Sequence, residues 1–161
     1  MRTSFHNGVQ MMSAIAFLGL GLAACGGGGD AAEIAKFTGT WNVVSGTMNE
    51  TCPEGTYTSA TTGQVKWTKG VSSDLVQSSP PCTIAAEAEG STATGSGPAC
   101  TFNNAAGDSF TLTITSYTFV VAPDGRAAQE NGAGTLLETD TNGASETCTM
   151  NESASYQKLS D

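Results

Sequence analysis

The side chains with which this 161-residue chain could do chemistry are five cysteines, fifteen carboxylates and one histidine. The histidine, His6, stands in an N-terminal stretch laid out like an export signal, so the mature chain is expected to carry no imidazole. Ser-His-Asp and Cys-His nucleophilic catalysis fall away with it, as do His-ligated zinc and copper sites. Cys52, Cys82, Cys100 and Cys148 are even in number, and no two have the C-x-x-C spacing of a redox or zinc motif. In an exported chain they read as two disulfides, each adding about 2–4 kcal/mol, which leaves no thiol nucleophile. Four cysteines allow three pairings. The favoured one joins Cys82 to Cys100 across a local loop and Cys52 to Cys148 across the chain.

Carboxylates remain. Glu87 and Glu89 lie two apart, so on a strand they share a face and could form an acid/base pair. A solvated strand edge explains them more simply, because charges there discourage edge-to-edge pairing. Asp140, Asn142 and Glu146 surround Gly143 but lack the full order of a calcium loop, and a hairpin turn accounts for them. The glycines at 26–29 follow no strand and precede no Gly-Lys-Ser/Thr, so they are not a phosphate loop. The expectation is a non-enzyme with no catalytic residue, metal or cofactor.

The elements that must position these residues begin with the N-terminal segment. Arg2 precedes an apolar run from Val9 to Leu22 that is interrupted by Gln10, Ser13 and two glycines. It is too short and too glycine-rich for a membrane span, and reads as the apolar part of a signal peptide. It ends in Leu22-Ala23-Ala24-Cys25, which resembles the lipobox of bacterial lipoproteins. The resemblance implies cleavage after Ala24, a diacylglycerol-modified Cys25 thiol and a membrane partner reached through that lipid. Two or three acyl chains would make the anchoring durable, at about 0.8 kcal/mol per buried methylene. Gly26, where an Asp would favour the inner membrane, implies a cell-envelope position at the outer membrane. Residues 1–24 are thus the signal peptide, 25–36 an acylated cysteine and glycine-rich tether spanning on the order of 18 Å, and 37–161 a single domain.

Without Arg2, five basic residues (Lys36, Lys66, Lys69, Arg126 and Lys158) face fifteen acidic ones, a balance of 5 − 15 = −10. That charge argues against nucleic acid and against electrostatic docking on anionic lipid. The acidic residues are scattered singly, as on a solvated surface.

From Phe37 onward the pattern is strand-like. "QVKWTK" sets Val65 and Trp67 on one face, and "CTIAAEAE" places Ile84 inward. Residues 49–63 and 90–102 read as turn-rich connections. In "SFTLTITSYTFVVA", Phe110, Leu112 and Ile114 alternate with threonines, and then Tyr117, Phe119 and Val121 take the opposite phase. A one-residue change of phase demands a bulge or a change of sheet near Thr115-Ser116. Asp124-Gly125 and Asn142-Gly143 supply hairpin turns, on either side of a strand weakened by Gly132 and Gly134 and anchored by Leu136. Serine and threonine form about a quarter of the mature chain, which suits exposed sheet faces. The fold expected is all-β, an antiparallel meander closed into a small barrel or sandwich and stapled by two disulfides.

"FTGTW" is similar to the Gly-x-Trp signature, here Gly39 and Trp41, that opens the first strand of lipocalins. The resemblance implies an up-and-down barrel plugged at one end by the tryptophan, an apolar ligand inside, and a basic residue across the indole, for which Arg126 and Lys158 are the candidates. The order of Trp41, Gly70-x-x-x-Asp74-Leu75, Cys82 and Cys100 also resembles that of lipoproteins from predatory soil bacteria, a likeness that implies no activity. The expected function is a lipid-anchored, non-catalytic binding or structural module of the envelope, with a lipocalin-like carrier of a small apolar ligand as the alternative and a carboxylate-dependent hydrolase as a second one.

Overall fold

A computed structural model describes residues 30–79 and 82–160. Cys25 and residues 1–24, expected from the sequence to be a signal peptide, lie outside the described residues. Of the described residues 70% are strand, with one short helix and a closed eight-stranded antiparallel barrel. The helix α1 (Ala31–Phe37) comes first, followed by β1 (Gly39–Cys52), β2 (Gly55–Ala60), β3 (Gln64–Lys69), β4 (Leu75–Ser79) and β5 (Cys82–Glu89). After them come β6 (Thr92–Ser96), β7 (Cys100–Asn103), β8 (Ser109–Val121), β9 (Ala127–Thr139) and β10 (Ser145–Ser160). The barrel runs β10-β9-β8-β6-β5-β4-β3-β1 and closes through β1–β10 pairing.

Strict alternation builds the thin wall. β5 alternates buried and exposed residues along its whole length, with Cys82, Ile84, Ala86 and Ala88 inward. Alanine at three inward positions (Ala86, Ala88 and Ala93 of β6) leaves room for the large rings from across the lumen. Eight strands enclose a space that side chains can just fill, and here Trp41, Trp67, Phe119 and Leu75 are fully buried in it.

β1, β8, β9 and β10 are too long for the barrel alone, and their excess continues beyond it as an open sheet. On one side β2 pairs with β1 over Thr47–Cys52, and on the other β7 pairs with β8 over Ser109–Leu112. Two bulges allow the flare. The register of β8 against β9 shifts between Ile114 and Ser116, where the phase of the sequence changes. Ile114 then faces Gly134 and Tyr117 faces Gly132, so both apolar sets lie on one side of the sheet. A second shift, between Val43 and Ser45 of β1, leaves Val44 64% exposed.

Both disulfides join the expected partners. Cys52–Cys148 ties β1 to β10, with Cα atoms 4.3 Å apart, and Cys82–Cys100 ties the start of β5 to β7. The segments 49–63 and 90–102, turn-rich by composition, contain β2, β6 and all but the last residue of β7. Pairing to the long β1 and β8, reinforced by the cystines, outweighs their weak local preference.

Residues 31–36, which composition assigns to the tether, form most of α1. Asp30 caps it by accepting the Ala32 amide at 3.0 Å. Ile34 and Phe37 are buried against the barrel. Glu33 accepts the Gly90 amide at 3.2 Å and Lys36 donates to the Gly90 carbonyl at 3.2 Å, so both charged side chains latch the helix to the β5–β6 turn.

Candidate functional site

The helix-capped end of the lumen is filled by rings. Phe119 of β8 lies 5.2 Å from Trp41 of β1, 5.3 Å from Trp67 of β3 and 5.4 Å from Tyr156 of β10. β3, β1 and β10 are consecutive in the barrel and Phe119 reaches their rings from β8, beyond β9, so the cluster fills the lumen in the edge and tilted arrangements that aromatic quadrupoles favour. The Trp41 indole donates to the Phe37 carbonyl at 2.8 Å, joining ring and plug. Of the two basic candidates, it is Lys158 whose Nζ stands over Trp41, 5.5 Å from the ring centroid. Arg126 instead lines a solvent-open cleft with Val44 and Gln157.

Next to the rings lies a layer of polar side chains. Gln77 of β4 donates from Nε2 to the Tyr117 oxygen at 2.7 Å, and Tyr117 donates to Glu130 Oε2 of β9 at 2.6 Å. Tyr156 also hydrogen-bonds Glu130. All four are buried, Glu130 at 4% exposure. Burial first, and the charge of Glu152 second, push the Glu130 carboxyl from 4.5 up to about 7, against the pull of its three hydrogen-bonding partners. Burial likewise raises Glu152. Burial and the negative charge of Glu130 drive both tyrosines well above their ordinary range, so they stay protonated donors. Trp67, which faces Gln77 across the β3–β4 pair, has a buried Nε1 with no hydrogen-bond partner.

This arrangement holds a proton on a carboxyl near neutral pH. Its donors converge on Glu130 itself, which orders the interior and couples it to pH. Alternation could have revealed Gln77 and Glu130 in the sequence, since each shares the inward phase of an apolar neighbour two residues away, Leu75 and Ala128. What the sequence could not reveal is that strands 40 residues apart bring Gln77 against Tyr117.

The carboxylates singled out by spacing lie elsewhere. Glu87 and Glu89 do share a face of β5, but it is the exposed one. Glu87 is raised by desolvation and by its neighbour Asp74, whose Oδ2 accepts the Ala88 amide at 3.0 Å. Asp140 accepts the Asn142 and Ala144 amides, both at 2.8 Å, and these backbone bonds hold its carboxyl below the usual range. It caps the β9–β10 turn. Glu50 lies beside the Cys52–Cys148 cystine, whose sulfurs are committed to each other.

A solvent-open cleft of about 380 Å³ marks the junction of barrel and flare, lined by residues of β1, β8, β9 and β10 that are mostly polar, Asn49, Asn131 and Asn151 exposed and Glu152 half-buried among them. Among the described residues no helix is long and apolar enough to cross a membrane. No known protein family, curated protein or solved structure matches the chain.

Proposed function

We propose that this chain is a lipid-anchored envelope protein whose barrel is a rigid, non-catalytic binding or bracing module. The anchor rests on Leu22-Ala23-Ala24-Cys25 and its setting behind an apolar signal segment. The observation that carries the non-carrier reading is the ring cluster. Phe119 meets Trp41, Trp67 and Tyr156 within 5.2–5.4 Å, where a barrel carrier would hold its ligand. A filled lumen makes a stiff scaffold and leaves the outer surface to meet partners. Glu87 and Glu89 stand on the exposed face of β5, but β5 is paired to β4 and β6, so they belong to a solvated outer face and not to a strand edge.

A carrier of a small apolar ligand is the second reading, favoured by one observation: Gly39 and Trp41 are joined by a basic residue over the indole, Lys158. Displacement of a fluorescent fatty acid from residues 30–161 separates the two. No binding at micromolar ligand is expected, and saturable binding would replace the scaffold by the carrier. For the anchor, Cys25→Ser should leave the protein unprocessed or soluble. Continued membrane fractionation of that variant would refute lipidation.

A further inference from the structure

The cleft at the junction of barrel and flare is built from residues that local preference would not put there. Asparagine is disfavoured in strands, yet Asn49, Asn131 and Asn151 stand within β1, β9 and β10 and line this one cleft. The register arranges them in two adjoining rows. Asn49 faces Asn151, Asn151 faces Ala133, and Ala133 faces Ser116. In the neighbouring row Ser153 faces Asn131, which faces Thr118. Ala133, the smallest side chain of the first row, leaves space between Asn151 and Ser116. The β8 bulge just before Ser116 bends the sheet at the same place. Departures from local rules that converge in space are a mark of function.

We propose that this cleft binds an uncharged, hydroxyl-rich ligand of the saccharide class. Each side-chain amide offers two donors and an acceptor, the combination that pairs with hydroxyls able to do both. Asn131 and Asn151 make no side-chain hydrogen bond among the described residues. Asn49 uses only its oxygen, which accepts from Thr58 at 2.7 Å. No lysine or arginine lines the cleft and the mature chain is strongly acidic, which disfavours phosphates and other anions. β1, β9 and β10 are paired on both sides here and β8 is paired to β9 and, from Tyr117 onward, to β6, so an extended peptide finds little free backbone edge to join. A volume of about 380 Å³ lies in the range of small-ligand sites. The site gives the outer surface of the proposed scaffold a ligand class and depends on neither the lipid anchor nor the filled lumen.

The test uses the purified full chain in dodecylphosphocholine, a detergent without sugar, titrated with cellotetraose, maltotetraose and chitotetraose. Amide NMR shifts are followed at Asn131, Gly132, Ala133 and Asn151. At least one oligosaccharide should give saturable shifts confined to these residues, and Asn131→Ala with Asn151→Ala should weaken binding at least about tenfold. Glu87→Gln, on the other wall, should leave affinity unchanged. Both variants alter exposed residues, and matching near-UV circular dichroism checks their folding. The proposal is overturned if none of the three sugars produces saturable shifts, if the asparagine variant binds as the wild type does, or if an extended tetrapeptide shifts these amides and the sugars do not.

Discussion

Replacing Glu130 by Gln should make the protein more stable at neutral and alkaline pH, with an effect that disappears in acid. Its carboxyl stands at about 7 in the folded barrel against 4.5 when freely solvated. A raised acid binds its proton more tightly in the native state, so its contribution to stability is complete below about pH 4.5. It is lost as pH rises through 7, because the unfolded chain ionises first. The loss comes to about 3 kcal/mol, at about 1.4 kcal/mol per pH unit. Gln copies the protonated carboxyl in shape, keeps an oxygen for the Tyr117 hydroxyl, and cannot ionise. The groups facing Glu130 are Gln77 of β4, Tyr117 of β8, and Glu152 and Tyr156 of β10. The tyrosines stay protonated throughout this window, and Glu152 titrates with the same sign in both proteins. Urea unfolding followed by tryptophan fluorescence at pH 4.5, 6 and 8 measures the difference. With a slope of about 1.5 kcal/mol/M, the variant midpoint should lie about 2 M higher at pH 8 and coincide with wild type at pH 4.5. Parallel pH profiles for the two proteins would refute the placement of Glu130 as a buried, proton-holding carboxyl.

Phe119→Ala should cost about 4 kcal/mol, because the ring touches three others and the barrel wall cannot collapse into the space; urea unfolding checks it. Removing Cys52–Cys148 by double alanine substitution should destabilise more than removing Cys82–Cys100, since the bridges span 96 and 18 residues. Chain entropy gives about 4.7 and about 3 kcal/mol, and comparison of the two midpoints tests the order. Gly95→Ala should weaken the barrel by about 2 kcal/mol, because its Cβ would fall 2.1 Å from the Ala85 carbonyl oxygen on β5; a thermal melt unchanged by this substitution would contradict the pairing of β5 with β6.

How much of this was legible depended on whether the responsible contacts were local. The alternation around Val65, Trp67 and Ile84 announced the inward faces of β3 and β5. The phase change at Thr115-Ser116 announced a bulge, now visible as a register shift. Asp124-Gly125 and Asn142-Gly143 marked turns in which both glycines have positive φ, 70° and 85°. β2 and β7 were hidden because short polar strands are stabilised by the neighbour they join, and that neighbour lies elsewhere in the chain. The polar layer was hidden for the same reason. Glu130 in "AAQENGAG" looks like any surface glutamate until β8 and β4 bring Tyr117 and Gln77 against it.

The departures from local rules are unevenly distributed, and their distribution is informative. Along β3 and β5 the barrel wall keeps strict alternation with apolar residues inward. Across β1, β8, β9 and β10 there are three register shifts, a buried carboxyl near neutrality, glycines at 132 and 134, and four asparagines within strands, of which Asn49, Asn131 and Asn151 line the cleft. Each carries a cost: a polar group taken from water, a strand residue without packing, or a broken ladder. Selection for stability alone would tend to remove such features, and β5 carries none of them. That they persist together beside one cleft is best explained if this wall is where the molecule meets its ligand, with the opposite wall and the ring cluster serving to hold it in shape.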